Sequence, residues 1–242
     1  MRAISDHVGL PVKGLAGAMG GLIAQGWCNA NQPCINLCMR GVWAAAAVMM
    51  VWGLAVGVVM WGSGVDMWLT QALWARYDHG MNVLMRVLGE VGKGSFQAGV
   101  CAVVCGGVWG WGKNSRPWVW CVPVFLVAGA VGVVLKVLVG RARPKEVLWN
   151  GVGPYEVHPG TWDAGFWSFP SGHAVSTFAI ATVLAAAYPA QRWVIWPVAA
   201  VLAASRFLAL TPHYMGDVVA GAAVGSAVAV VCVAVLRRRA WL

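Results

Sequence analysis

Long apolar runs, broken by a few compact polar breaks, dominate the chain. Those at 41–61, 95–112, 118–139, 173–190, 193–210 and 217–236 reach or approach the roughly 20 residues that a helix needs to cross a bilayer. The second and third are separated only by Lys113-Asn114-Ser115-Arg116-Pro117, and the fourth and fifth only by Gln191-Arg192. This pattern predicts an all-α, polytopic membrane helix bundle of about six transmembrane helices. The run at 95–112 is the shortest of the six with 173–190 and 193–210, and its glycines weaken it as a helix. Segment 66–90, from Asp66 to Glu90, alternates apolar and charged residues with a helical period and is expected to lie along the membrane surface. The stretch 8–26 is apolar but interrupted by Pro11, Lys13 and several glycines, which suits an interfacial segment better than a cleavable leader. Residues 1–40 therefore read as an N-terminal cytoplasmic or interfacial segment, and 41–242 as the six-span domain. GxxxG pairs at Gly53–Gly57 and Gly221–Gly225 are expected to pack helices inside one bundle rather than to dimerise it.

Composition sharpens this picture. Of 242 residues, 60% are hydrophobic and only 10% charged, with a mean hydropathy of +0.70. So few charges cannot form a soluble shell around such a core, which excludes an ordinary cytosolic enzyme, a disordered chain and a disulfide-stapled secreted module. The net charge of +9 does not signal nucleic acid, because the bases sit in small clusters between apolar runs rather than in a stripe interleaved with aromatics. With both termini in the cytoplasm, Arg2, Lys13, Arg40, Lys113, Arg116, Arg192 and Arg237 to Arg239 fall on the inner face, where Asp6 is the one acid. Long outer connections then remain at 62–94 and 140–172. Their Trp68, Trp74, Trp149, Trp162 and Trp167 suit membrane–water boundaries. Cys101, Cys105, Cys121 and Cys232 lie in apolar runs as small hydrophobes, and Cys28, Cys34 and Cys38 read as free thiols with no histidine placed to complete a zinc site.

Ionisable groups at membrane depth are costly and tend to have a role. Three groups of them reach the same outer face. The first is Lys136-Val-Leu-Val-Gly-Arg141-Ala-Arg143-Pro144, at the outer end of the third run. The second is Phe169-Pro170-Ser171-Gly172-His173, opening the fourth. The third is Ser205-Arg206 with His213-Tyr-Met-Gly-Asp217, between the fifth and sixth. Lys136, Arg143 and Arg206 are fixed cations suited to a multiply charged oxyanion. Pro170-Ser171-Gly172 opens a helix, whose free N–H groups attract an anion and whose glycine lets it approach. His173 is placed to give a proton to a leaving oxygen. His213 and Asp217, four apart, are expected to share a helical face, so that the carboxylate holds one ring nitrogen and the other is free to attack phosphorus. Arg141 alone would read as a snorkelling anchor. The argument for a site is the convergence of the groups.

Lys136-x6-Arg143-Pro144, Pro170-Ser171-Gly172-His173 and Ser205-Arg206…His213-x3-Asp217 resemble the three signature motifs of the type 2 phosphatidic acid phosphatases, the PAP2 superfamily. The resemblance covers 136–225 by motif and most of the chain by layout, which makes 41–242 a PAP2-like phosphatase domain. The third motif differs in spacing: six residues, Phe207 to Pro212, separate the arginine from the histidine where the family has five, and a bend at Pro212 could absorb the extra one. The resemblance implies a phosphomonoesterase or diphosphatase that needs no metal and no cofactor and acts through a phosphohistidine. His213 would be the nucleophile, Asp217 its orienting partner and His173 the general acid. Lys136, Arg143, Ser171, Gly172 and Arg206 would cradle the phosphoryl oxygens. Asp217 is the one carboxylate in the motifs, too few for a magnesium site.

A site at headgroup level favours an amphiphilic phosphate. Undecaprenyl pyrophosphate, or lipid phosphates broadly, is the first expectation. Lipid A 1-phosphatase or phosphatidylglycerophosphate phosphatase is the alternative, and a lipid phosphotransferase is an alternative of another class. The expected partners are the lipid phosphate or pyrophosphate substrate and membrane lipids, with no nucleic acid. The expected location is a bacterial inner membrane, with a multi-pass chain and the site on the periplasmic or outer face. A transporter would put its charges at mid-depth on broken helices, whereas these sit at helix ends.

Overall fold

The computed structural model describes residues 32–76, 79–112, 114–210 and 212–239. The stretch 8–26, Cys28 and the side chains of Cys34 and Cys38 lie outside the described part. The chain divides into two units, Met1–Leu37 and Cys38–Leu242, and the second carries the bundle.

The apolar runs fold as helices: α1 Gln32–Gly62, α2 Val65–Trp74, α3 His79–Val91, α4 Gly94–Gly110, α5 Arg116–Val139, α6 Pro144–Trp149, α7 Gly172–Ala187, α8 Arg192–Leu208 and α9 Met215–Arg238. Extended pairing among the described residues is limited to a bridge between Arg141 and Val157. The all-α membrane bundle stands, and among the described residues three to four of the six expected spans reach crossing length. Met39–Gly62, Arg116–Val139 and Met215–Arg238 are long and apolar enough to cross a bilayer, and Asn82–Val91 with Gly94–Gly110 forms a pair bent by 55° that makes a fourth if counted as one span. At 16 and 17 residues, α7 and α8 are shorter than a full crossing. Helix α7 stops at Ala187, before Tyr188-Pro189, and it is central: it packs against α5, α8 and α9.

Segment 66–90 departs from the expected surface helix. It forms two helices, α2 and α3, and Asp66, Thr70 and Asn82 are buried. Asn82 donates to the Ala209 carbonyl, which ties α3 to the end of α8 (3.2 Å).

Close helix contacts depend on glycine. A Cβ at Gly221 or Gly225 of α9 would lie 2.5 Å from the Ser171 carbonyl oxygen or 2.2 Å from that of Val175 in α7. At Gly53 of α1 it would meet the Ala223 side chain at 2.0 Å, and at Gly57 the Gly216 carbonyl oxygen at 2.9 Å. Both GxxxG faces are thus used within the chain. The core between α5, α7 and α9 is built from Cys121, Val124, Ala128, Val175, Ala179, Val183, Val224 and Ala229. Outward positions stay apolar, as lipid contact requires: Trp52 and Val103 are 68% and 77% exposed.

Helix α5 ends at Gly140, whose φ of 59° lies in the left-handed region and whose Cα stands against the His158 carbonyl. The connection from 140 to 171 then folds back on the end of α5. The Gly160 N–H donates to Val137 O (2.7 Å), Arg143 N–H to Gly165 O (2.9 Å) and Ser168 N–H to Arg141 O (3.1 Å). This return brings the start of α7 beside the last turn of α5.

Candidate active site

Lys136 sits in that last turn with its ammonium buried. It donates to the carbonyls of Trp167 (2.7 Å) and Pro170 (2.6 Å), which pins the segment just before α7. Two of its three donors are spent on backbone, leaving one for a ligand. Gly172 stands next to it: a Cβ there would lie 3.6 Å from Lys136 Cε.

His213 and Asp217 come together, though not as one helical face. His213 precedes α9, and its Nδ1 donates to the Ser168 carbonyl (2.8 Å), while Asp217 Oδ2 is 3.7 Å away. The expected direct bond from Asp217 to the ring is therefore replaced by a backbone carbonyl. A carbonyl only accepts, so Nδ1 carries the proton and Nε2 keeps its lone pair. Asp217 is fully engaged elsewhere. Ser168 Oγ donates to its Oδ2 (2.5 Å), the Tyr214 N–H caps it from the helix start (2.9 Å), and Arg141 Nη1 meets its Oδ1 (2.6 Å). Burial pulls the His213 imidazole down to about 4, with Asp217 offsetting only part of that effect.

On the open side, Arg143 Nε, Ser171 Oγ, His173 Nε2 and Arg206 Nε are buried with no hydrogen-bond partner. Arg143 and Arg206 lie in each other's field, His173 feels Arg206, His213, Lys93 and Lys136, and His213 feels Lys136 and Arg143. Burial lowers the pKa of the Arg143 guanidinium below its ordinary value. Ser171 caps α7 without a side-chain bond, so the first-turn N–H groups there keep their anion-attracting character. The Ser171 N–H itself donates to Asp217 O (2.9 Å). Buried polar atoms without hydrogen bonds are rare in folded proteins. Asp66 Oδ2, Gln97 Oε1, Arg141 Nε and Tyr214 Oη share that state elsewhere, but the four on the open side combine two guanidiniums with a hydroxyl and an imidazole, a set suited to a ligand rich in acceptors.

Arg206 reaches this group despite the odd spacing. The chain turns after α8 at Leu210, whose φ of 70° is the one positive value at a non-glycine among the described residues, and it bends again at Pro212, where the sequence suggested that the extra residue is absorbed. The guanidinium rests on α3, where a Cβ at Gly89 would lie 2.5 Å from its Nη1.

Sequence reasoning missed four residues behind His213. Arg141, read as an anchor, is 1% exposed. Its guanidinium stacks between the Trp61 and Tyr214 rings (4.6 and 4.1 Å to the centroids) and pairs with Asp66 Oδ2 (2.9 Å) as well as Asp217. Asp66, read as part of a surface helix, also accepts the Gly216 N–H (2.8 Å). Burial raises its carboxyl pKa, and Arg141 opposes that shift. Ser168 and Tyr214 complete the set. The available signal was the cost of burying a charge: a carboxylate and a guanidinium at bundle depth call for each other.

Comparison with known proteins places the chain in a family. The PAP2 superfamily matches residues 117–241, just over half of the chain. A lipid A 1-phosphatase from Rhizobium etli is 34% identical over 98 residues, covering 40% of this chain and 41% of that protein. One from Rhizobium johnstonii is 32% identical over 99 residues, covering 41% and 39%. The match thus spans about two-fifths of the length of these curated relatives. The crystal structure of a transmembrane PAP2 type phosphatidylglycerolphosphate phosphatase from Bacillus subtilis superposes with a TM-score of 0.61 at 19% identity, covering 80% of this chain and 96% of that one, a likeness of fold. The chain with this buried histidine and its cradle of unpartnered donors is a membrane protein and belongs to the PAP2 superfamily.

Proposed function

We propose that the protein is a membrane lipid phosphatase that removes a phosphate from a lipid headgroup through a phosphohistidine, with the 1-phosphate of lipid A as its first substrate. The observation that carries the reading is the set of unpartnered buried donors on Arg143, Ser171, His173 and Arg206 beside a histidine whose Nδ1 proton is fixed and whose Nε2 is free. The identity to lipid A 1-phosphatases supports that substrate ahead of undecaprenyl pyrophosphate, the first expectation from sequence.

In this mechanism Lys136, Arg143, Arg206, Ser171 and the Gly172 amide hold the phosphoryl oxygens. His213 Nε2 attacks phosphorus. The N–P bond forms as the P–O bond to the lipid breaks, and the leaving oxygen takes a proton from His173. The ring becomes an N-phosphoimidazolium that keeps its Nδ1–H on the Ser168 carbonyl. Water then gives a proton to the now neutral His173 as its oxygen bonds to phosphorus, the N–P bond breaks with its electron pair returning to His213 Nε2, and phosphate leaves with both histidines as they began. A phosphate dianion among these cations supplies the negative charge beside which a protonated His173 is stable. Positioning and charge are most of what phosphoryl transfer needs, the cation between the two buried carboxylates is Arg141, and this mechanism uses no metal or cofactor. The reading puts the site on the outer face of a bacterial inner membrane, with both termini cytoplasmic.

The test is phosphate release in EDTA by detergent-purified protein from lipid A, phosphatidylglycerol phosphate, phosphatidate and undecaprenyl pyrophosphate, with His213→Ala as control. Fastest release from lipid A, lost in the variant, is the expected result. Release retained by His213→Ala would remove the phosphohistidine. A phosphorylated lipid acceptor in place of free phosphate would replace hydrolysis by phosphotransfer.

A further inference from the structure

The buried charges behind His213 carry an inference that rests on the proposed role of that histidine. Asp66 comes from α2, outside the stretch matched by the superfamily, and is 1% exposed. It meets Arg141 at 2.9 Å, and the same Arg141 nitrogen meets Asp217 at 2.6 Å. Asp66 Oδ1 accepts the Gly216 N–H in the first turn of α9, one residue before Asp217. The three side chains form a row of carboxylate, guanidinium and carboxylate, which is net −1 when all are ionised.

That count matters for the reaction. When Nε2 bonds to phosphorus the imidazole becomes cationic, so the rate rises with negative charge behind the ring. Asp217 is the carboxylate near the ring, 3.7 Å from Nδ1, and Ser168 joins the two, its hydroxyl on Asp217 and its carbonyl on Nδ1. An Arg141–Asp217 pair alone would be neutral, and the guanidinium would cancel the field that the ring needs. Asp66 restores the balance and draws the guanidinium between two carboxylates. The other groups facing His213 are Lys136 from α5 and Arg143 from the segment after it, both cationic, and His173 from α7, which adds no negative charge. Negative charge at the ring therefore comes from this row.

We propose that Asp66 and Arg141 are positioning residues: Arg141 orients Asp217 against Ser168, and Asp66 keeps the buried row net negative so that Asp217 stabilises the cationic His213 ring. A merely structural role predicts that each further lost charge makes the protein worse. Charge balance predicts that removing Asp66 and Arg141 together is milder than removing Asp66 alone, because the double variant again leaves a single net negative charge on Asp217.

The experiment measures kcat and KM at neutral pH for phosphate release from lipid A and from dioctanoyl phosphatidate in detergent micelles. It compares wild type, Asp66→Asn, Asp66→Glu and Asp66→Asn/Arg141→Gln, with thermal unfolding of each. Asp66→Asn keeps the shape and an acceptor for the Gly216 N–H. It is expected to lower kcat roughly tenfold with KM within about twofold, the scale of one unit charge acting through a protein interior. Asp66→Glu is expected to retain more of kcat than Asp66→Asn, and the double variant to regain most of what the single one loses. Wild-type kcat in Asp66→Asn, or a double variant slower than the single, would overturn the proposal. Where Asp66→Asn does not fold, the double variant decides alone: kcat above a tenth of wild type supports the charge balance, and a lower value overturns it. An inert wild type would instead sink the functional reading and this one with it.

Discussion

The two sides of His213 are built on opposite terms. Behind the ring, Asp217 is engaged by Arg141, Ser168 and Tyr214, Arg141 is held between two carboxylates and two aromatic rings, and the Nδ1 proton is spent on a carbonyl. In front of it, Arg143, Ser171, His173 and Arg206 each carry a buried polar atom with no partner. Behind the ring Arg141 Nε, Tyr214 Oη and Asp66 Oδ2 also lack a hydrogen bond, but ion pairs and ring stacking hold their side chains. The unsatisfied donors in front are costly until a ligand meets them. The difference teaches which half holds geometry and which half waits for charge. The closed half fixes one tautomer before substrate arrives, and the open half exchanges its unmade hydrogen bonds for bonds to phosphate.

The contrast can be broken at the ring first. His213→Ala is expected to lower phosphate release by about 10⁴-fold or more, because it removes the nucleophile, while leaving thermal unfolding close to that of wild type. A variant within tenfold of wild type would show that the attacking group lies elsewhere.

On the open side, Arg143→Ala is expected to lower kcat/KM by about 10²- to 10³-fold, the effect of removing one preorganised donor from developing charge. Inorganic phosphate should inhibit the variant more weakly than wild type. Unchanged phosphate inhibition would mean that the orphaned donors do not meet the anion.

Ser168→Ala probes the closed side with a smaller cut. It removes the hydroxyl on Asp217 and keeps the carbonyl on Nδ1, so a loss of only about tenfold or less is expected. A loss as large as that of His213→Ala would mean that the hydroxyl, rather than the carbonyl, sets the ring.

The smallest effect is on stability against pH. The folded His213 sits at about 4 against an ordinary 6.5, so folding favours the neutral ring. That stabilisation is complete above pH 6.5 and is lost as pH falls toward 4. Asp66, whose carboxyl burial raises, acts in the opposite sense, so the comparison must be with His213→Gln. Between pH 7 and 4 the melting temperature is expected to fall further in wild type than in the variant. Parallel falls would assign the acid sensitivity to other groups.

Much of this molecule follows from its sequence. Apolar runs of sufficient length with compact breaks give helices whatever their neighbours, because hydrophobicity and helix ends are local properties, and the bounds of α5, α7, α8 and α9 lie within a few residues of the predicted runs. The motif residues were legible because ionisable groups are rare in so apolar a chain. Tertiary structure alone decided the rest. It put a positive φ at Leu210 before His213, gave Nδ1 to the Ser168 carbonyl, and turned Asp66 and Arg141 from apparent surface charges into the closed side of the site. Gly216 and Asp66 are 150 positions apart, and no local pattern encodes a partner at that distance. A buried charge is stable only where packing brings its counter-charge, so its role is fixed when the helices close and not before.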